Sequence, residues 1–269
     1  MKNLFSTWKE TFALLNKRPK IIIPFLVTGI LNIIAIYLLY YAPQRPVSFV
    51  LGPPIIRFFG EKFLHYPTNF LILPKLVNYA ELAIGALFGM LMTAVAVHMI
   101  WDVKNGERAL FFVNLIRSLK RYISLLVIWG ISFGILTGVS KILSKTPALK
   151  TIPKGQFITL YFFIAVLINM LLIYAVPLLI IKKRNLFGAL SHSIVVLAKS
   201  FFTTLILVAV PSLFYLPVIM AKSKTVTLID KFFPEIILTV LITGVIVSII
   251  SELIITTSIT VLFLNKEKE

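Results

Sequence analysis

Glu252 is the residue of this sequence best placed to carry chemistry, because it is the one charged residue in the apolar run Ile236 to Leu264. It precedes Asn265 by 13 residues, which corresponds to about 20 Å of helix at a rise of about 1.5 Å per residue. An ionisable side chain at membrane depth is costly, and one that occurs there usually marks a function.

Three other polar residues fall at a similar depth by the same estimate. Asn169 lies about 24 Å and Thr93 about 18 Å from the edge that Asn265 marks, and Asn32 lies about 16 Å beyond Ile21. The sequence therefore predicts an intramembrane polar site near the bundle midplane. In this prediction Glu252 faces the interior and is hydrogen-bonded to Asn169 or Asn32.

Such a site has functional and structural interpretations. It fits a proton or cation site, or the polar end of a lipid pocket, but a protonated Glu252 that only ties helices together fits equally well. Glu81 and His98 lie within about two helical turns of the end of an apolar run. Their polar tips are therefore expected to reach the membrane interface.

Signatures of enzymes are missing or out of context. The sequence has no phosphate-binding glycine loop, no HExxH pattern and no paired-carboxylate DxxD pattern. Gly130 to Gly134 reads GISFG, which matches the nucleophile pattern around Ser132, but that pattern requires a strand-to-helix turn and here it lies inside an apolar run. Cysteine is absent, which excludes disulfides and thiolate ligands. We expect no catalytic residue, no cofactor and no metal.

Glycines at helical spacing give a packing prediction. Gly130, Gly134 and Gly138 form one GxxxGxxxG series, and Gly85 with Gly89 forms a second pair. In membrane helices this spacing allows two backbones to approach closely. Both sets are therefore predicted to be helix-packing faces.

The elements that must position these residues are membrane-spanning helices. With 59% hydrophobic and 14% charged residues, the chain has more apolar side chains than a water-soluble core of this size encloses. Six runs reach the roughly 20 residues that a spanning helix needs: Ile21 to Ala42, Leu76 to Trp101, Tyr122 to Ser140, Phe157 to Ile181, Phe201 to Ala221 and Ile236 to Leu264. The prediction is an all-α, polytopic membrane protein with six transmembrane helices.

An internal repeat organises the six runs. Asn105, Asn185 and Asn265 are spaced by 80 residues, and Asn3 opens a similar NLF segment. We divide the single membrane domain 1–269 into units 1–104, 105–184 and 185–269, each an interfacial amphipathic helix followed by a transmembrane hairpin. Since each unit crosses twice, the three repeats are parallel. The alternative is that the amphipathic segments only extend the spanning helices.

The charge pattern indicates partners and orientation. The net charge of +17 comes from residues dispersed between apolar runs, which is not a nucleic-acid pattern but suits contact with membrane lipids and anionic headgroups. The side that holds both termini carries 16 of the 27 lysines and arginines. We therefore expect the plasma (inner) membrane of a prokaryote, no cleavable signal peptide, and both termini in the cytoplasm. The sequence does not decide whether a protein partner or a homo-oligomer exists.

The segment 43–75 departs most from the repeat. Ile55, Ile56, Phe59 and Phe63 fit one face of a short helix, with Arg57, Glu61 and Lys62 opposite. We interpret the segment as an interfacial cap, and a lid or partner-binding loop is the alternative.

One family resemblance covers nearly the whole chain. The stretches IIKKRNLFGALSHS, from Ile180 to Ser193, and NGERALFF, from Asn105 to Phe112, resemble uncharacterised six-helix bacterial membrane proteins related to the membrane domain attached to some glycerophosphodiester phosphodiesterases. The resemblance implies a polytopic membrane body. The soluble phosphodiesterase domain of fused members has no room in this chain, so hydrolysis is not carried over.

Two functions therefore remain. The first is a non-catalytic membrane module that binds lipid or a partner. The second is a transporter or channel with a polar site near Glu252.

Overall fold

The computed structural model describes residues 2–146 and 152–266 of the chain. Every regular element in these two ranges is helical, and no strand occurs within them. The prediction of an all-α protein is confirmed.

The first part of the chain forms helices α1 (Lys2–Lys17), α2 (Ile23–Tyr40), α3 (Ser48–Phe59), α4 (Thr68–Ile84), α5 (Met90–Lys104), α6 (Phe111–Leu119) and α7 (Tyr122–Lys145). The second part forms α8 (Lys154–Leu172), α9 (Ala175–Ile180), α10 (Leu186–Leu213), α11 (Leu216–Ser223), α12 (Thr225–Lys231) and α13 (Ile236–Lys266). A π-helical turn, Gly85–Gly89, joins α4 to α5, and short 3₁₀ turns occupy Pro19–Ile22 and Glu61–Leu64.

Six helical segments of the described chain are long and apolar enough to cross a membrane, as predicted: Pro19–Tyr40, Thr68–Lys104, Tyr122–Lys145, Gly155–Ile180, Leu186–Leu213 and Ile236–Lys266. The fifth segment begins and ends earlier than the predicted run from Phe201 to Ala221. It starts at Leu186 because the amphipathic segment continues into the span, and it ends at Leu213, where the chain bends before α11. The protein is a polytopic membrane protein.

A residue with non-helical dihedral angles follows each amphipathic segment. Arg18 has φ −137°, Arg121 has φ −112°, and Ser200, inside α10, has φ −136°. The chain therefore departs from regular helix at each of these residues. Whether the segments lie at the interface or extend the spans stays a prediction.

These three segments bury polar residues beside apolar ones such as Leu14 and Leu197, and they leave other large apolar residues outside. Thr11, Asn114 and Ser193 are fully buried, whereas Phe112 and Phe187 are 75% and 79% exposed. A helix on the surface of a water-soluble protein normally shows the reverse pattern. The outward apolar faces suit the acyl boundary of a bilayer.

The two ends of the described chain lie at the same end of the bundle. The Nδ2 amide of Asn265 on α13 donates to Oε2 of Glu10 on α1 at 2.6 Å, and Nζ of Lys104 pairs with the other oxygen of Glu10. Nearby, the Nδ2 amide of Asn114 donates to Asp102 at 2.7 Å, which fastens α6 to α5. We call this end of the bundle the α1 end.

The segment 43–75 contains a short helix, α3, at the opposite end of the bundle. The predicted face is divided, however, because α3 ends at Phe59, Gly60 has φ 79°, and Glu61, Lys62 and Phe63 lie in the 3₁₀ turn that follows. Ile55 and Phe63 are buried in a cluster with Ala42 and Leu76, while Arg57, Glu61 and Lys62 are exposed. We call this end the α3 end. Its role as a cap stays a prediction.

Candidate functional site

A cavity of about 400 Å³ lies between α2, the α4–α5 junction, α8, α11 and α13. Glu252, Asn169 and Asn32 line it. Glu252 and Asn32 stand near the middle of their helices, and Asn169 stands near the middle of the span Gly155–Ile180. The structure thus places three of the four predicted polar residues around one space, which we call the inner cavity. Whether it is a functional site stays a prediction.

Glu252 points into the inner cavity because of its register on α13. Val245, Ser248 and Ile255 line the same cavity, and residues three and four apart share one face of a helix. Glu252 lies at mid-helix among the spans, and its side chain is exposed and lines the cavity. Among the described residues, none donates a hydrogen bond to its carboxyl group.

The predicted hydrogen bond from Glu252 to Asn169 or Asn32 is wrong. Asn169 Oδ1 accepts instead from the Ser132 hydroxyl at 3.2 Å, and the buried Oδ1 of Asn32 has no hydrogen-bond partner within the described chain. The physical reason is the cavity itself, which separates the carboxyl group from both amides.

Thr93 lies outside the inner cavity. It lines a second cavity of about 400 Å³, together with Asn169 and Ser132. Its hydroxyl donates to the Gly89 carbonyl of its own helix at 3.0 Å. We call this second space the side cavity, and its wall is largely apolar.

An ion pair that the sequence did not reveal marks the α3 end of the inner cavity. Lys222 Nζ lies 3.1 Å and 3.2 Å from the two carboxylate oxygens of Glu81. The same Nζ donates to Asn78 Oδ1 and to the Tyr215 hydroxyl, both at 3.4 Å. Glu81 therefore has a fixed partner instead of reaching the interface alone.

The signal for this pair was weak but present. Asn78 and Glu81 are three residues apart on α4, and Tyr215 and Lys222 are seven apart around α11, so each pair shares a helix face. Because Lys222 follows the predicted fifth run, the sequence alone predicts that it is a basic residue of the next loop. Nothing in the sequence alone joins α4 to α11.

Three cavities adjoin one another and share wall residues. An outer cavity of about 770 Å³ at the α3 end shares Glu81, Gly85, Tyr215 and Ile219 with the inner cavity. The inner and side cavities share Val166, Asn169, Ser212 and Ile255. The polar groups of the three cavities therefore form two clusters, one around Lys222 and one around Glu252. The remaining walls of the cavities are largely apolar.

The predicted glycine packing faces make no close contact with another helix at four of their five positions in the described structure, and their role in packing stays a prediction. A Cβ atom placed on Gly130, Gly134, Gly138 or Gly89 would meet nothing within 4 Å in the described structure, and at Gly85 the nearest atom is Nε1 of Trp129 at 3.8 Å. The α7 glycines lie on the face opposite Leu125 and Ile128, the buried residues through which α7 packs. Gly85 and Gly89 instead line the inner cavity.

Two other glycines make the close helix contacts. A Cβ on Gly29 of α2 would collide with the side chain of Ile249 on α13, and one on Gly244 would lie 2.9 Å from Val218. Both are isolated glycines without a GxxxG partner.

His98 is buried by neighbouring parts of the protein. It is 8% exposed, and its Nδ1 atom has no hydrogen-bond partner in the described chain. Its place at the membrane interface stays a prediction. It lines none of the three cavities.

The described residues contain no group of three or more His, Asp or Glu side chains that could hold a metal ion. Ser132 lies within α7 and donates to Asn169, so a strand-to-helix turn does not present it. The expectation of a non-enzyme stays a prediction.

No protein-family model matches this sequence, and neither a curated protein nor a solved structure is significantly similar to it. The resemblance to the membrane domain of glycerophosphodiester phosphodiesterases therefore stays a prediction.

Proposed function

We propose that this protein is a non-catalytic membrane module that binds a lipid or another amphiphilic molecule in its three adjoining cavities. The observation that carries this proposal is the arrangement of the cavities, which combine two polar centres with apolar walls. Ligand sites of about 300–1,000 Å³ that are mostly apolar and carry a few convergent polar groups are typical of small-molecule binding. The inner, side and outer cavities each fall in this range.

The distribution of polarity suits an amphiphile. The side cavity is bounded by side chains such as Ile128, Leu136 and Val208, which favour an alkyl chain. The outer cavity offers Lys75, Asn78 and Lys222, which can contact a polar headgroup. A molecule entering at the α3 end would thus find polar groups first and apolar walls further in.

The proposed membrane placement rests on three parallel repeats. The non-helical residues Arg18, Arg121 and Ser200 come 15, 16 and 15 residues after Asn3, Asn105 and Asn185. This spacing supports three like-oriented units whose amphipathic helices lie at the interface and contact anionic headgroups. The lysine and arginine bias supports a prokaryotic plasma membrane with the α1 end in the cytoplasm.

Transport is the second candidate function. It is favoured by Glu252, whose carboxyl group is open to the inner cavity and accepts no hydrogen bond from the described residues. Carboxyl groups in such positions mark ion or proton paths in many membrane proteins. A transporter requires that the inner cavity be reached in turn from both sides of the membrane, whereas a binding module requires access from one.

The test of the proposed function is the identification of molecules retained by the protein. The full chain is purified in a mild detergent, and its bound small molecules are compared with the bulk lipid by mass spectrometry. We expect enrichment of a defined amphiphile. A retained set that matches the bulk membrane would overturn the proposal.

Two matched glycine variants locate the retained molecule. Gly89→Leu directs a side chain into open space beside the inner cavity, and Gly134→Leu does the same on a face that lines none of the three cavities. We expect Gly89→Leu to lose the molecule and Gly134→Leu to keep it. Equal retention by the two variants would place binding elsewhere.

A further inference from the structure

We propose that the inner cavity binds the protonated amino group of an amphiphile, with Glu252 as its counter-ion. This inference rests on the proposed function and names the chemistry of its ligand. It follows from the balance of charge around the cavity, from its unpaired acceptor atoms and from its size.

The charge balance around the inner cavity lacks one positive charge. Two carboxyl groups line it, those of Glu81 and Glu252, and no lysine, arginine or histidine of the described chain does so. Lys222 neutralises Glu81 from the adjoining outer cavity. No such partner faces Glu252. A carboxylate at membrane depth without a counter-charge is unfavourable, so a bound monocation stabilises its ionised form.

Acidic residues are scarce in this chain, so the presence of two of them at one cavity supports a preference of that cavity for cations. The chain contains 27 basic and only 10 acidic residues, and two of those acids border this one cavity. The rest of the protein attracts anions, whereas the inner cavity favours a cation.

The free acceptor atoms match the hydrogens of an ammonium group. Oδ1 of Asn32 is buried without a partner, and the Glu252 carboxyl group receives no hydrogen bond from the described residues. An ammonium group has three N–H donors and no acceptor. It can donate to the Glu252 carboxyl group and keep two hydrogens for other acceptors, while an alcohol has one hydrogen to donate.

The remaining walls suit the organic part of such a ligand. Phe162 and Tyr215 line the inner cavity, and aromatic faces attract cations. A bare metal ion needs oxygen ligands within about 2.0–2.6 Å on several sides. A cavity of about 400 Å³ is far larger than a metal ion fills, so an organic cation fits it better.

The test compares small probes that share one alkyl chain. The purified full chain is titrated at pH 7 with n-hexylamine, n-hexanol and n-hexanoate, and the rise of its unfolding temperature reports binding, because a ligand of the folded state stabilises it. We expect saturable stabilisation by hexylamine, with an affinity at least about tenfold above that of hexanol. Equal responses to the amine and the alcohol, or a preference for hexanoate, would overturn the inference.

Variants assign the selectivity to Glu252. Glu252→Gln is expected to remove the preference for the amine, and Glu107→Gln, at an exposed carboxylate, is expected to keep it. If Glu252→Gln does not fold, the comparison of probes on the wild-type chain still decides. Stabilisation by sodium chloride alone, equal to that by the amine, would overturn the inference in favour of an inorganic cation.

The same titration separates the two proposals. Gly89→Leu should weaken the binding of all three probes if the cavity is the binding site. Probes that bind through this cavity without regard to charge would uphold the proposed function and overturn only the amine preference. Binding that Gly89→Leu leaves unchanged would overturn the cavity as the site and both proposals with it.

Discussion

Lys222 reaches from α11 to Glu81 on α4, across 141 positions of sequence, and its Nζ lies 3.1 Å and 3.2 Å from the two carboxylate oxygens. The lysine side chain is 11% exposed and that of the glutamate is 27% exposed. This pair joins the short helix α11 to the second span, at the boundary between the inner and outer cavities. Breaking it from one side leaves a charge without its partner.

Lys222→Met should therefore destabilise the protein. The unpaired Glu81 carboxylate is partly enclosed, and we expect the free energy of unfolding to fall by about 1–3 kcal/mol. The measurement is equilibrium unfolding of the purified chain in detergent. The control is Lys224→Met, since Lys224 is exposed. The double variant Glu81→Gln with Lys222→Met should recover part of the loss, and a purely additive loss would contradict a direct pairing.

The contact of Gly29 with Ile249 gives a second prediction. Even the small Cβ of alanine at Gly29 would overlap the Ile249 side chain, with Cγ1 at 2.8 Å. Because overpacking typically costs about 1–3 kcal/mol, Gly29→Ala should lower the unfolding temperature. Gly134→Ala, where a Cβ meets nothing within 4 Å, should leave it unchanged or raise it. The reverse order would mean that α2 and α13 do not approach as described.

These glycines show what sequence reasoning finds and what it does not. A GxxxG spacing indicates that a second helix can pack closely at that face. Whether a second helix does so depends on the position of that helix in the fold. Gly29 has no glycine neighbour at that spacing, and its constraint comes from Ile249, on a helix far along the chain. The spans themselves were predictable because length and hydropathy are local properties.

Glu252 and Lys222 likewise differ in how much the sequence alone predicts about them. A lone carboxyl in a long apolar run stands out locally, so the sequence located Glu252 and its depth. Lys222 lies where a basic residue is ordinary, at the end of an apolar run, and only the packing of α4 on α11 reveals its partner. The cavity between Glu252 and the two asparagines was also unpredictable, since helical rise gives depth and no lateral distance.

The periodic asparagines give a third prediction, because their side chains differ in what they contact. Asn265 bonds Glu10 at 2.6 Å and so ties α13 to α1, whereas Asn105 is exposed and makes no side-chain hydrogen bond within the described chain. Asn265→Ala should loosen α1, seen as about tenfold faster amide hydrogen exchange in that helix. Asn105→Ala should leave the exchange of α1 unchanged.

Asn185 has a third kind of contact. Its side chain accepts a hydrogen bond from the Gly188 amide at 2.9 Å and caps the start of α10. Asn185→Ala should cost about 1 kcal/mol of stability, as is usual for an N-cap. Hydrogen exchange in the first turn of α10 should rise while that of α1 does not. A change in α1 alone would contradict these separate roles.

Access to the inner cavity distinguishes a binding module from a transporter. Since the chain has no native cysteine, Ser248→Cys places a single thiol on the cavity wall, and Ile246→Cys places one on the 49% exposed apolar face of the same helix. Both variants are reconstituted in vesicles and treated with a membrane-impermeant thiol reagent from each side in turn. The Ile246 position should stay unlabelled, because hydrocarbon excludes the charged reagent.

For Ser248→Cys we expect labelling from the side of the α3 end and none from the α1 end. The outer cavity opens toward α3 and shares Glu81 and Tyr215 with the inner cavity, while at the other end Glu10, Lys104 and Asn265 hold α1 against α5 and α13. Labelling from both sides would show that the cavity alternates its access, which is the behaviour of a transporter. Protection from both sides would mean that water does not reach Glu252 at all and that its carboxyl group is structural.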